Sequence, residues 1–453
     1  MGSLFGTDGV RGVANQYPIT PELVLNLGRA VVSVLKHNTR SCIVTGKDGR
    51  ISGDMIEAAL AAGICSAGAD VLTAGIVPTP AVAYLARRAG ADAAIMVSAS
   101  HNPYEDNGIK IFDSAGFKLN TAAEDEIEER IEKAKDFSGA AVASDSIGRI
   151  RAIETAMDEY GDFLKKSVGK KVSFKGLKVV LDCSNGATSE IAPRVFSELG
   201  AKLTVLHNSP NGTNINDNCG SQHIEELQQV VRETGASIGC AFDGDGDRLI
   251  AVDETGEAVT GDQILAVCAK HMKQSGLLKN NIVVSTVMSN LGLRLALKSM
   301  GIKHLITDVG DRHVLDMMQK SNAVIGGEDS GHMIFLDTHT SGDGILTALK
   351  LIAAMIESGR LLSELSRIMD RYPQILKNVR IKEKTDIYQF PKIAGIIKKV
   401  EDHLGDQGRV LVRYSGTQPL CRIMVEGPDP DDTRQLCKDI VDVMVAELGG
   451  SVQ

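Results

Sequence analysis

What most limits the fold of this chain is the way short apolar, β-branched runs alternate with segments of helical period. Strands separated by helices pair across helical crossovers, so such alternation builds α/β sheets. "SCIVTGKD" reads as a strand, "GDMIEAALAAGICSAGA" as a helix, and "DVLTAGIV" and "ADAAIMVSAS" as further strands around a short helix. A second cycle runs through "LKVVLDCS", "SEIAPRVFSELG", "AKLTVLHN", "IEELQQVVRETG" and "ASIGCAF". A third runs from "DQILAVCAKHMK" through "NIVVSTVMS", "LGLRLALKSMG" and "IKHLITDV" to "AVIGGEDSGHMIF". After "RYPQ" the order changes to strand, helix, strand pair and closing helix, an α+β order. The expectation is an α/β protein of four domains. Three are similar mixed α/β units at residues 1–150, 151–255 and 256–370, and the fourth is a smaller α+β C-terminal domain at 371–453. The three units share a pattern and no sequence repeat. The acidic stretch "TAAEDEIEERIEKAKDF" reads as an exposed, ion-pair-laced helix before a polar join near residue 150.

At 453 residues the chain is too long for one hydrophobic core. Its 49 Lys and Arg stand against 58 Asp and Glu, a net charge of −9, which argues against a general nucleic-acid binder. Local basic pockets for small anions stay open. Eight cysteines occur singly, with no C-x-x-C pair, as in a reduced cytosolic chain. The N-terminal "MGSLFGTDGVRG" lacks the apolar core of a signal peptide. The most apolar helix, "GILTALKLIAAMIESG", is broken by Lys350 and is too short for a membrane span. A soluble, cytoplasmic protein without nucleic-acid or membrane partners is expected.

"FDGDGDR", residues 242–248, sets Asp243, Asp245 and Asp247 at alternate positions with glycines between. One short loop of this kind wraps a hard cation in oxygen ligands, which suits a catalytic Mg²⁺. The rivals are an EF-hand loop and an unliganded acidic turn. Against the EF-hand, Arg248 takes the place of its turn glycine, and the flanks read as strands. Arg248 either orients a ligand oxygen or neutralises the loop. "RYSGTQPLCR", residues 413–422, groups Arg413, Ser415, Gly416, Thr417 and Arg422 as a phosphate cradle or an ordinary turn. In "GGEDSGH", Glu328 and Ser330 are placed to bond sugar hydroxyls and His332 titrates near neutrality. "FGTDGVRG" brings Arg11 on a glycine-rich loop, and Lys110 of "NGIK" reads by itself as a surface lysine. "VSASHNP" puts Ser100 beside His101, but without the flanking glycines of a hydrolase nucleophile elbow.

In chain order, "GTDGVRG", "SASHNPYEDNGIK", "DGDGDR", "GEDSGH" and "RYSGTQPL" closely resemble the motifs of the α-D-phosphohexomutase superfamily, end to end. The stretches "NINDNCGSQH", "STVMSNLGL", "GDGILTAL" and "RYPQILKNVR" resemble its phosphoglucosamine mutase branch. The resemblance implies four domains around a central cleft, with Ser100 carrying a phosphoryl group. It also implies one Mg²⁺ per chain, held by Asp243, Asp245, Asp247 and the Ser100 phosphate. Glu328 and Ser330 are then expected on sugar hydroxyls. Arg413, Ser415, Gly416 and Thr417 are expected on the phosphate that does not react. Arg11 and Lys110 neutralise charge, and Lys110, His101 and His332 are the proton-transfer candidates. The implied reaction interconverts glucosamine 6-phosphate and glucosamine 1-phosphate through a hexose 1,6-bisphosphate, with a hinged fourth domain and a possible homodimer. A phosphomannomutase/phosphoglucomutase of broader range and a non-catalytic sugar-phosphate binder are the alternatives. Three residues depart from the family pattern: Asp329 stands for a usual Gln, Gln418 for a Glu and Tyr414 for a frequent Lys. An acid at 329 would favour a cationic 2-amino group on the sugar.

Overall fold

Four sheets, one per sequence cycle, organise the computed structural model, which describes residues 4–6, 8–35, 41–133, 142–169, 172–381, 385–414 and 420–452. The first sheet holds β1 (Val10–Val13), β2 (Cys42–Lys47), β3 (Asp70–Ile76), β4 (Ala93–Val97), β5 (Asp106–Asp113) and β6 (Ile150–Ala152). Their order is β1-β5-β4-β2-β3-β6. Strands β4, β2, β3 and β6 run parallel, and β5 turns back antiparallel on β4. The second sheet holds β7 (Lys178–Asp182), β8 (Lys202–Leu206), β9 (Ile238–Phe242), β10 (Leu249–Asp253) and β11 (Ala258–Val259), in the order β11-β10-β9-β7-β8. Here β8, β7 and β9 are parallel and β10 turns back on β9. In the third, β12 (Ile282–Thr286) lies between β13 (Lys303–Thr307) and β14 (Ile325–Gly327), all parallel. There β15 (Met333–Phe335) turns back on β14.

The three sheets thus share one plan, a parallel core extended by an antiparallel return, to which β1 in the first sheet and β11 in the second add one more antiparallel strand. The inner parallel strands β2, β4, β7, β9 and β12 are buried on both faces and read as apolar runs, as in "AAIMV" of β4, while the edge strands β6, β8 and β13 are partly or fully exposed. Helices cover the faces. Helix Gly344–Ser358 is buried almost all round, which is why its sequence is the most apolar. Helix Gly261–Gln274 starts on a capping box made by Thr260 and Gln263.

The fourth sheet differs. Its strands β16 (Gln374–Arg380), β17 (Arg409–Tyr414), β18 (Leu420–Glu426) and β19 (Ser451–Val452) are all antiparallel, in the order β17-β18-β16-β19. Helices Pro391–Leu404 and Pro430–Leu448 pack on it, giving the expected α+β unit its own core. Two compact units result. One comprises residues 1–288 and 302–368; the other comprises 369–453 together with 289–301. Helix Leu291–Ser299, read from sequence within the third cycle, therefore groups with the C-terminal sheet. Asn290 and Tyr372 exchange hydrogen bonds of 2.9 and 3.0 Å, and Arg409 reaches the Ser289 carbonyl. All eight cysteines are free thiols, and among the described residues no helix is long and apolar enough to cross a membrane.

Candidate active site

The chemistry-bearing loops of the first three sheets occupy equivalent places, each joining a parallel strand to its antiparallel return. Residues 98–105 join β4 to β5, residues 243–248 join β9 to β10, and residues 328–332 join β14 to β15. A loop between adjacent strand ends is short and rigidly anchored, so its side chains are held in register.

Ser100 is buried, with a φ of 54° that only a well-braced side-chain-bearing residue keeps. The brace is Arg50. Its guanidinium is fully buried against Asp48 at 2.9 Å. From there it donates to the carbonyls of Ser100 and Asn102 at 2.9 Å, of Asp106 at 3.0 Å and of Pro103. Asn216 adds bonds to the Ser100 carbonyl at 2.9 Å and the Asn102 carbonyl at 3.0 Å. Ser98 links Asp48 to the Ser100 amide at 2.6 and 2.9 Å. This strained turn presents the Ser100 hydroxyl to the acidic loop, where it donates to Asp243 Oδ2 at 2.7 Å. Gly244 permits the approach, since a Cβ there would stand 2.6 Å from the Ser100 carbonyl oxygen.

The flanks of the acidic loop are the strands β9 and β10, which removes the EF-hand reading. Oxygens of Asp243, Asp245 and Asp247 converge within 4.8 Å of one another, and all three residues are buried. Burial and the charges of Asp247 and Asp245 push the Asp243 carboxyl well above its ordinary range. Burial opposes ionisation of Asp247 too, but Lys110, His332 and Arg248 hold it well below that range. Oδ1 of Asp245 and Oδ1 of Asp247 are buried with no hydrogen-bond partner among the described residues. Orphaned carboxylate oxygens on a glycine-flexed loop, beside a serine hydroxyl, fit a hard divalent cation. Asp243, Asp245, Asp247 and an oxygen on Ser100 are the residues that would hold it.

Lys110 is no surface lysine. It is 1% exposed on β5 and bonds Asp245 at 2.7 Å and Asp247 at 3.2 Å. Burial disfavours its charge, yet Asp245, Asp247 and Asp8 outweigh it and keep the ammonium protonated well above its usual range. Asp8 also pairs with Arg11 and Lys118, and Lys118 pairs with Asp311. His332 sits between Asp247 at 3.6 Å and Asp311 at 3.7 Å. Burial works against its cation, but these two acids hold it above the ordinary histidine value. His101 is the opposite case. Its Nδ1 lies 3.2 Å from Ser100 Oγ, and burial, Arg248 and Arg11 push it down to about 4, so it is neutral at physiological pH. Arg248 lies 3.9 Å from Asp243 and 3.8 Å from Asp247.

In the third loop, Glu328 accepts from the Gly310 amide at 3.0 Å, while Ser330 is exposed. Asp329 has a role not read from sequence. Its Oδ1 accepts from the Asp262 amide at 3.1 Å and its carbonyl from Gly261 at 3.1 Å. An acid there caps the N-terminus of helix Gly261–Gln274, where the helix dipole favours negative charge. In the C-terminal unit, Arg413 of β17 lies directly opposite Arg422 of β18. Two guanidinium-bearing residues in register offer paired donors of the kind that bind an anion. Ser415, Gly416 and Thr417 lie outside the described residues.

Sequence reasoning missed Arg50, Asp48, Ser98, Asn216, Lys118, Asp311 and Thr79, whose amide donates to the Asp245 carbonyl at 2.9 Å and whose hydroxyl donates to the Asp245 carboxylate. "GKDGR" carried a usable signal, a charged glycine loop at the end of a strand. Lys118 and Asp311 carried none, because only the fold brings them to Asp8.

The motifs recur in known proteins. Family models of phosphoglucomutase/phosphomannomutase match in order: alpha/beta/alpha domain I at residues 2–137, domain II at 158–256, domain III at 260–372 and the C-terminal domain at 376–443. The chain is 54% identical to a phosphoglucosamine mutase of Syntrophobacter fumaroxidans over 99% of its own length and 100% of the relative's. It is 53% identical to one of Syntrophus aciditrophicus over the same shares. Among solved structures, a phosphoglucomutase/phosphomannomutase family protein of Burkholderia thailandensis matches with a TM-score of 0.81 at 23% identity, covering 99% of both chains. An Aspergillus fumigatus N-acetylphosphoglucosamine mutase, solved with GlcNAc-6P and magnesium, matches with a TM-score of 0.68 at 17% identity, covering 97% of this chain and 95% of that one. Four domain models in order, relatives above half identity along the whole chain and a serine loop locked onto an aspartate loop lead to one assignment: the chain belongs to the phosphoglucomutase/phosphomannomutase family.

Proposed function

We propose that this chain interconverts glucosamine 6-phosphate and glucosamine 1-phosphate through phosphorylated Ser100 and glucosamine 1,6-bisphosphate. The observation that carries the chemistry is the Ser100 hydroxyl, 2.7 Å from Asp243 beside the orphaned oxygens of Asp245 and Asp247. The amino sugar is favoured by the full-length relatives named phosphoglucosamine mutase, at 54% and 53% identity.

The C1 hydroxyl of glucosamine 6-phosphate attacks the phosphorus on Ser100. The Oγ–P bond breaks as Oγ takes a proton, and the sugar hydroxyl gives its own proton to a basic side chain. After the bisphosphate turns over, Ser100 Oγ attacks the 6-phosphoryl group, O6 takes a proton as its bond to phosphorus breaks, and glucosamine 1-phosphate leaves. His101, neutral and 3.2 Å from Oγ, is positioned to take the Ser100 proton. Lys110 and Arg11 neutralise phosphoryl charge, and His332 is the acid nearest the loop. Mg²⁺, one per chain, would neutralise phosphoryl oxygens at the aspartate loop. Glu328 and Ser330 take sugar hydroxyls, Arg248 a substrate oxygen, and Arg413 and Arg422 the phosphate that does not react.

Comparing kcat/KM on glucosamine 6-phosphate, mannose 1-phosphate and glucose 1-phosphate tests the substrate. The amino sugar is expected to lead, and equal or better turnover of the neutral sugars would replace it with a broader hexose-phosphate mutase. Intact mass and phosphopeptide mapping test the covalent step. Phosphoryl on Ser100, with turnover lost by at least about a thousandfold in Ser100→Ala, is expected. Full activity of that variant would refute the relay.

A further inference from the structure

A second cluster of ligand-type side chains lies in the second sheet, apart from the aspartate loop. Asp182 ends β7, His207 follows β8, and Cys219 lies in the long connection from β8 to the helix Glu225–Thr234. A carboxylate oxygen, an imidazole nitrogen and the thiol sulfur of these three lie within 4.8 Å of one another. Asp182 and Cys219 are buried. His207 keeps a φ of 46°, a strained conformation for a residue with a side chain. Its Nδ1 lies 3.2 Å from Asp182 Oδ1, and among the described residues this buried nitrogen makes no aligned hydrogen bond. Its other nitrogen, Nε2, lies 3.3 Å from Glu226.

We infer that Asp182, His207 and Cys219 form a binding site for a transition-metal ion of the Zn²⁺ class. Thiolate, imidazole and carboxylate together select a borderline-soft ion over Mg²⁺ or Ca²⁺. Bond lengths of about 2.0–2.3 Å place tetrahedral ligand atoms about 3.3–3.8 Å apart, so the three atoms need to close by only about 1 Å. The thiol proton leaves to solvent as the metal–sulfur bond forms. Glu226 on Nε2 supplies the carboxylate that commonly orients a metal-bound histidine. A water reaching half-buried His207 completes the fourth position.

The site has a structural consequence. Asp182 already ties the long connection to β7, accepting from the Gly220 amide at 2.9 Å. The same connection carries Asn216, which holds the Ser100 and Asn102 carbonyls. A bound ion would close this loop and stiffen the support of the serine turn without touching the reacting atoms.

The test is Co²⁺ titration of the full-length protein, stripped with chelator and kept in Mg²⁺. One equivalent is expected to give a thiolate-to-Co²⁺ charge-transfer band and the visible bands of tetrahedral geometry, both displaced by Zn²⁺. Cys219→Ser should abolish the charge-transfer band. His207→Gln and Glu226→Gln should each weaken binding about tenfold or more. Asp245→Asn, in the aspartate loop, should leave the spectrum unchanged. Zn²⁺ should raise the melting temperature of the wild type but not of Cys219→Ser, with circular dichroism reporting that the variant is folded. Absence of the band at one equivalent, or its persistence in Cys219→Ser, would overturn the site. Neither readout depends on the mutase reaction, so the two readings fail separately.

Discussion

Arg50 does more for the serine loop than any residue of the loop itself. Four carbonyls and Asp48 use up its guanidinium, so removing it strips four carbonyl bonds from the turn and leaves the buried Asp48 carboxylate without its counter-charge. Arg50→Met should cost about 3–5 kcal/mol by chemical denaturation, and Arg50→Lys should recover little because one ammonium does not span that fork. His339 sets a different test. Its Nε2 faces the Pro80 carbonyl at 2.9 Å and its Nδ1 accepts from the Thr340 amide at 3.0 Å, which locks the neutral tautomer. Burial pushes it down from 6.5 to about 4. The unfolded chain therefore binds the extra proton between those values, and stability falls as pH drops from 6.5 toward 4. The loss is at most about 3 kcal/mol. Melting curves from pH 7 to pH 4 should show a shallower acid limb for His339→Gln than for the wild type, whatever the variant's stability at pH 7.

Among elements, helices Pro21–Leu35 and Gly53–Ser66 touch backbone to backbone. A Cβ on Gly63 would stand 2.0 Å from the Leu25 carbonyl oxygen. Gly63→Ala should force the pair apart and cost about 1–3 kcal/mol, read by thermal or denaturant unfolding. The cap made by Asp329 predicts that Asp329→Ala loses about 0.5–2 kcal/mol of stability, while the ratio of kcat/KM between amino and neutral sugars stays near that of the wild type. A collapse of that ratio would return Asp329 to the sugar. Helices and strands with a clean hydrophobic period were legible in the sequence, including β2, β4, β7 and β9. Strand β5 was not, because Asn107 and Lys110 interrupt its apolar pattern. Both are buried, Asn107 bonding Ser52 and Lys110 the acidic loop, so polar contacts replace apolar ones there.

For the whole molecule, the chain contributes residues 289–301 to the C-terminal unit before that unit's own sheet begins. A chain ending at 370 should therefore leave Ser289 and Asn290 without Arg409 and Tyr372. Limited proteolysis should then cut within 289–301 in the shortened chain and not in the full one. The facing pair Arg413 and Arg422 predicts that either change to Ala raises KM for the sugar phosphate at least about tenfold, with Ser100 still found phosphorylated by mass.

The cycle of strands and helices, the α+β order of the last domain and the local loops that hold serine, aspartates and arginine are legible in the amino-acid order alone. Those features are written in hydrophobic period and in glycine-spaced polar clusters, which act over a few residues. Which loops meet follows only from the folded chain: Ser100 against Asp243, Lys110 against Asp245, and Lys118 joining Asp8 to Asp311. Such contacts span more than a hundred residues of chain. Residues so far apart in sequence meet only once the chain is folded, and no local pattern of a few residues encodes which loops will face each other.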